Sequence, residues 1–252
     1  MRDKVKKRIK ALIRSVFDWF ADSEFLTPIR TQIIIVGLHY ISRAHGFVTY
    51  FEDERRNIFD LVVQMRKEID MQMSQDEAAT LVMAVRNTKK IQGDIAEVGV
   101  YVGGSAKLIC YANQEQKMVH LFDTFEGLPD VDDGDQPGEM YLHKGKFAAS
   151  LKAVKDYLQA YSNIRYYKGI FPSSGRDIRD KAFSFVHLDV DTYRSTKESL
   201  DFFYPRLGKG AILVSHDYRC LPGVRTAMDE FMRDKPEPLV EIANSQCLFV
   251  KV

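Results

Sequence analysis

The chain has 252 residues, 45% of them hydrophobic and 28% charged, and its 36 Lys+Arg against 35 Asp+Glu leave a formal net charge of +1. Such a composition belongs to a globular protein that can bury its own core, and it excludes a chain held on nucleic acid by bulk positive charge. Three scattered cysteines, Cys110, Cys220 and Cys247, exclude a disulfide framework or a cysteine-rich zinc site and point to a reducing, cytoplasmic setting. The longest apolar run, residues 33–38, is far shorter than the roughly 18 residues of a spanning helix, so no transmembrane span is expected. No secretory signal is expected either, because the apolar residues of the basic N-terminus are spread at helical spacing.

Over residues 4–20 the stripe Val5, Ile9, Leu12, Ile13, Val16 and Phe20 predicts an amphipathic helix whose other faces carry Lys6, Lys7, Arg8, Lys10 and Arg14. Its expected role is packing on its own domain or on a second copy in a homo-oligomer; peripheral contact with an anionic membrane is the sharper alternative. Helical, apolar patterning returns between about residues 28 and 70, so residues 1–73 read as a helical N-terminal cap or oligomerisation region. Ser74 with Glu77 three residues later forms a capping box, and Ala78, Leu81, Val82 and Val85 mark the buried face of the helix it opens. Residues 74–252 read as the second domain.

From Asp94 onward short apolar strands alternate with helices. Strands are predicted at residues 95–100, 118–122, 163–167, 183–188 and 210–214, and helices at 105–112, 151–161 and 195–203. The alternation predicts a doubly wound α/β fold with a mostly parallel sheet. The run 183–188 is apolar almost throughout, as expected of a strand covered on both faces. Residues 240–243 and 247–250, separated by Asn244, Ser245 and Gln246, predict an antiparallel C-terminal hairpin. A parallel sheet closed by such a hairpin is similar to the class I methyltransferase (Rossmann-like) architecture.

Open α/β sheets bind ligands beyond the C-terminal ends of their strands. The turn after the first strand runs from Glu97 to Ser105 and spaces its glycines GxxxGG (Gly99, Gly103, Gly104) instead of the dinucleotide GxGxxG. Glycines permit a tight turn and close backbone approach, and the helix that follows offers unpaired N–H groups. An acid two residues before the first glycine suits the ammonium of an amino acid tail better than a pyrophosphate. Asp123 closes the second strand, where a carboxylate can hold a ribose diol; its bland alternative is a turn cap. Together the two signals point to S-adenosylmethionine rather than a nicotinamide cofactor.

Six segments resemble the macrocin and mycinamicin sugar O-methyltransferases: DIAEVGVYVGGSAKLI (94–109), LFDTFEGLP (121–129), KGIFPSS (168–174), FVHLDVDTYRSTKESLDFFYPRL (185–207), SHDYRCLPGVRTAMDEF (215–231) and SQCLFVK (245–251). The resemblance implies methyl transfer from S-adenosylmethionine to a hydroxyl, usually on a sugar: a surface glycan precursor or a glycosylated natural product. It implies that Glu97, Gly99, Tyr101, Gly104 and Ser105 line the methionine and ribose part, Asp123 and Thr124 the ribose, and Gly169, Ile170 and Phe171 the adenine. Plain core packing is the alternative for Phe171. The same resemblance implies that Asp189 serves both the cofactor and the reaction.

Asp189 and Asp191 flank Val190 at the end of the strongest strand, so in extended conformation both carboxylates leave the same face, and with His216-Asp217 after the next strand three acids and an imidazole meet at adjacent strand ends. Relatives that bind magnesium place an acid at the first of these positions and a consecutive acidic pair at the second; here His216 stands where the pair's first aspartate would be. Imidazole favours zinc, manganese or iron over magnesium, so the ion is left open. Either Asp189, His216 and Asp217 hold a divalent cation that acidifies the acceptor hydroxyl, or a side chain, His216 or Asp191, removes its proton. The segment 143–147 resembles the family's mobile substrate-closing segment, which makes His143 a candidate substrate contact against the plainer reading of a surface histidine. The acid-rich stretch Asp130, Asp132, Asp133 and Asp135 lacks the spacing of a calcium loop and reads as solvated. A phenolic acceptor and a non-catalytic, nucleotide-binding relative are the competing functions.

Overall fold

The structure is a computed structural model whose described residues are 53–136, 141–242 and 244–252. The chain divides into two compact units, Met1–Arg56 and Asn57–Val252. The basic helix expected over residues 4–20 and most of the helical pattern expected from residue 28 lie outside the described residues.

The first described helix, α1 (Asp53–Glu68), buries Ile58, Val62 and Met65 completely, one residue per turn along a single face. Helix α2 (Gln75–Asn87) begins at the capping box read from the sequence. Ser74 Oγ accepts from the Glu77 N–H at 3.2 Å and Glu77 Oε2 accepts from the Ser74 N–H at 2.9 Å. Then come β1 (Asp94–Val98), α3 (Gly104–Asn113), β2 (Val119–Asp123), α4 (Leu151–Tyr157), β3 (Ile164–Lys168), β4 (Phe183–Leu188), α5 (Tyr193–Phe203), β5 (Leu207–Ser215), α6 (Pro222–Met232), β6 (Val240–Glu241) and β7 (Cys247–Val250).

The seven strands form one sheet in the order β3-β2-β1-β4-β5-β7-β6. The first five run parallel, and β7 lies antiparallel between β5 and β6. This is the mostly parallel sheet with an antiparallel C-terminal hairpin that the alternation predicts, although β6 is only two residues long. All six residues of β4 are buried. Alternate residues feed two cores: Ile95 and Leu121 pack with α1 to α4 on one face, Ala96 and Phe122 with Leu200, Phe203, Val224 and Met228 of α5 and α6 on the other. Helix α6, with Pro222 in its first turn, was not among the predicted elements.

One glycine fixes how closely the central strands converge. Gly99 has φ +87°, and a Cβ added there would sit 1.7 Å from the Asp189 carbonyl oxygen. Only glycine tolerates both constraints.

Candidate active site

The backbone ladder of the sheet continues one residue past the strand ends. Gly99 N donates to Phe122 O at 2.9 Å, Asp189 N to Val98 O at 2.9 Å, and His216 N to Leu188 O at 2.8 Å. These bonds set the glycine turn and the two acidic strand ends side by side. Above them opens a cavity of about 300 Å³, at the lower edge of the usual ligand range. Its wall takes in Gly99, Tyr101, Gly104, Ser105, Asp123, Thr124, Gly169, Ile170 and Phe171 at one end and Asp189, Asp191, His216 and Asp217 at the other. Asp70, Met71, Gln72 and Met73, which no sequence motif marks, also line it.

Asp123 is a hub of the turn. Its Oδ2 accepts from the backbone N–H groups of Val100 (2.7 Å) and Tyr101 (2.9 Å), and Oδ1 from that of Phe125 (2.6 Å). A carboxylate offers about four acceptor positions, so roughly one is left for a ribose hydroxyl. Thr124 Oγ1 likewise serves its own turn, donating to Gly127 O at 2.6 Å. Tyr101 reaches across the cavity mouth to donate to Asp70 Oδ2 at 3.1 Å and packs edge-on against Phe147. Phe171 borders the cavity, is stacked on Phe203 at 5.1 Å and is 7% exposed, so the same side chain packs the core and faces the cavity. Ile170 stands 58% exposed at the rim.

Glu97 lies beneath this surface and not on it. It is fully buried in β1, with Oε1 2.9 Å from His187 Nδ1, while Oε2 and His187 Nε2 have no partner among the described residues. Burial raises its carboxyl above the ordinary range against the opposing pull of His187.

At the other end, His216 is ringed by carboxylates. Its Nδ1 lies 3.0 Å from Asp217 Oδ2 and 3.4 Å from Asp189 Oδ1, and its Nε2 lies 3.6 Å from Glu77 Oε2 and 3.4 Å from Ser245 Oγ. Burial opposes charge on the imidazole, but Asp189, Asp217 and Glu77 outweigh it and raise its pKa well above the usual histidine range. Burial also pushes Asp189 up, and His216 more than reverses this, leaving it low. Asp191 goes the other way: burial, then the charges of Asp189 and Asp217, lift it well above an ordinary aspartate. The expectation that Asp189 and Asp191 leave the same face of an extended strand does not hold, because β4 ends at Leu188 and Asp191 sits at φ +61° in the turn before α5. Both still reach the cavity.

The donor set fits a divalent ion. One donor atom from each of Asp189, His216 and Asp217 lies within 4.8 Å of the others. Donors around an octahedral ion bound at about 2.1 Å stand about 3 Å apart, which is the spacing of His216 Nδ1 and Asp217 Oδ2. Nδ1 is buried, yet neither neighbouring carboxylate accepts a hydrogen bond from it in acceptable geometry. Methyl-donor chemistry also fits: an acid-held turn, unpaired N–H groups where α3 begins, and apolar walls at Val98, Leu128 and Phe171.

His143 is exposed, stacked on Tyr141 and absent from the cavity wall, whereas Phe147 of the same segment lines it. The segment is stitched to the 123–129 loop by Leu128 N to Lys146 O (2.8 Å) and Gly145 N to Leu128 O (2.9 Å). In the acid-rich stretch Asp130 is solvated, but Asp135 is buried and accepts from the Tyr193 N–H at 2.7 Å, anchoring the loop at the start of α5. That burial corrects the expectation of a wholly solvated loop.

A family model described as macrocin-O-methyltransferase (TylF) matches residues 68–251. The chain belongs to this family. The mycinamicin III 3''-O-methyltransferase of Micromonospora griseorubida is 31% identical over 169 residues, covering 60% of this chain and 66% of that protein. The demethyldecarbamoylnovobiocin O-methyltransferase of Streptomyces niveus is 28% identical over 153 residues, 56% of this chain and 58% of that one. The matched stretches thus span less than two thirds of these relatives. Among solved structures the O-methyltransferase NovP superposes with a TM-score of 0.62 at 23% identity, covering 72% of this chain and 82% of that one, a likeness of fold. The class I methyltransferase sheet and the family read from the six segments both stand. No helix among the described residues is long and apolar enough to cross a membrane.

Proposed function

We propose that the chain is an S-adenosylmethionine-dependent O-methyltransferase that methylates a sugar hydroxyl, on a surface glycan precursor or a glycosylated natural product. The observation that carries this reading is the cavity that joins the Asp123-held glycine turn to the Asp189, Asp191, His216 and Asp217 corner. The turn holds the donor's ribose and amino acid tail; the corner receives the acceptor. The acceptor oxygen attacks the sulfonium methyl in line, the carbon–sulfur bond breaks, and S-adenosylhomocysteine and a methyl ether leave.

Asp191 takes the hydroxyl proton. Both nitrogens of His216 already face carboxylates or Ser245, which leaves it poorly placed to collect that proton, while Asp191 lines the cavity and lies outside the three-residue donor set. Asp189, His216 and Asp217 would hold a divalent cation, which would supply charge that acidifies the acceptor hydroxyl. The imidazole in this set favours manganese, iron or zinc over magnesium. The acceptor itself is a small molecule or glycan, the working form is a homo-oligomer, and the setting is cytoplasmic, in keeping with three free cysteines.

The test is calorimetric titration of S-adenosylmethionine with and without chelator, with bound metal measured on the same sample, followed by a screen for S-adenosylhomocysteine over nucleotide sugars, glycosides and phenols. Micromolar binding, turnover on a sugar and loss of turnover on chelation support the whole reading. Turnover confined to phenols would move the acceptor class, turnover that survives chelation would remove the cation, and no binding would remove the assignment altogether.

A further inference from the structure

Glu77 enters the sequence as half of a helix cap, and its position gives it a second task. Its side chain is 6% exposed and lies where the N-terminus of α2, the end of β5 and the β6–β7 turn meet. Both oxygens are anchored by the main chain: Oε2 accepts from the Ser74 N–H at 2.9 Å, and Oε1 from the Ser245 N–H at 3.0 Å and from the Ser245 hydroxyl. A carboxylate gripped from two sides by backbone cannot follow the histidine; the histidine must follow it.

We propose that Glu77, acting with Ser245, is the positioning residue that fixes the His216 ring so that Nε2 carries the proton and Nδ1 is presented to Asp189 and Asp217. The inference rests on the cation reading given above. The Ser245 hydroxyl proton is committed to Glu77, so toward His216 the oxygen shows a lone pair, 3.4 Å from Nε2. Glu77 Oε2 adds its negative charge 3.6 Å from the same nitrogen. On the opposite edge of the ring, Nδ1 is buried, unpartnered and 3.0 Å from Asp217 Oδ2. A ligating histidine is characteristically held this way, its far N–H given to an oxygen backed by a carboxylate, which fixes the tautomer and makes the ligating nitrogen more basic. The replacement of an acid by His216 therefore comes with its own support, and that support is drawn from residues 77 and 245, far from the strand-end motifs in sequence.

The experiment uses the full chain and Mn²⁺ or Zn²⁺ alone as probes. Glu77→Gln keeps a residue compatible with the capping box. It should weaken Mn²⁺ binding in calorimetry by about 10- to 100-fold, the usual effect of losing such a partner, with S-adenosylmethionine affinity unchanged. In a His216→Asp background the same change should bring no loss of Mn²⁺ affinity, which a merely structural Glu77 would not explain. On the unmodified protein, ¹⁵N correlation spectra with Zn²⁺ should show His216 protonated at Nε2 and bound through Nδ1, a readout that does not depend on how the variants fold. Mn²⁺ bound equally well by wild type and Glu77→Gln, or Zn²⁺ bound through Nε2, would overturn the role of Glu77 while leaving the cation site standing. Failure of the wild type to bind either ion would overturn the cation reading and this inference with it.

Discussion

The two ends of the cavity are built on opposite principles. The glycine turn is held by main chain: Gly99 leans on Asp189 O, and Asp123 collects three backbone N–H groups within a few residues of the strands it joins. The acidic corner is held by side chains from four separate segments, at residues 77, 189–191, 216–217 and 245. Geometry held by close backbone approach and by N–H groups gathered on one carboxylate tolerates almost no substitution at the residues that make it. Side-chain-held geometry tolerates changes of shape but depends on every charge around it.

The largest expected effect is at the corner. Asp191→Asn should lower kcat about 10²- to 10⁴-fold, the usual contribution of a general base, with S-adenosylmethionine affinity and unfolding midpoint little changed. Turnover within tenfold of wild type would remove Asp191 as the proton acceptor. At the turn, Gly99→Ala should cost about 3 kcal/mol or more, because strain at positive φ adds to a backbone clash. Urea unfolding measures this, and a midpoint equal to wild type would show that β1 and β4 can separate without penalty.

Asp123→Ala removes an acceptor from both the turn and the donor. Methyl-donor affinity should fall by about 1.5–3 kcal/mol in calorimetry, as for hydrogen bonds to charged groups, and stability should fall as well. Unchanged affinity would mean that the turn consumes this carboxylate entirely. The smallest effect lies outside the cavity, at Glu237. Burial pushes this carboxyl up, but hydrogen bonds from Lys251 (2.6 Å) and Tyr204 (2.7 Å) prevail and bring it down to about 2 from an ordinary 4.5. A lowered carboxyl stabilises the fold above its unfolded pKa, so this contribution is present above about pH 4.5 and is lost as the pH falls toward about 2. Glu237→Gln should flatten the stability profile in that window and leave methyl-donor binding untouched; an unaltered acid limb would show that the pair contributes nothing.

The contrast between the two ends also explains what could be read in advance. Strands, their order of use and the GxxxGG turn were legible because local pattern dictates them: period-two burial, apolar runs covered on both faces, glycines where φ must be positive. Asp189, Asp191, His216 and Asp217 were legible because strand ends converge in such sheets. The burial of Glu97 under the cavity was not, since a strand of alternating faces does not say which face a ligand will use. Asp70 to Met73 carried no motif, and Ser245 was read only as part of the hairpin turn and the SQCLFVK segment; they reach the site by tertiary packing of loops. Glu77 left a signal that pointed elsewhere, because a cap residue and a site residue have the same letter. Helix α6 was missed where a Pro-Gly start obscured its apolar spacing.

The insertion of β7 between β5 and β6 ties the edge of the sheet to the acidic corner. Ser245 leads directly into β7, and beyond that strand Lys251 pairs with Ala211 and Gly210, some forty residues earlier in the sequence. Until that strand docks, β5 is an open edge and the ring of His216 lacks one of its two supports. Loss of β7 would therefore bare an edge of the sheet and take Ser245 from beside His216 at one stroke.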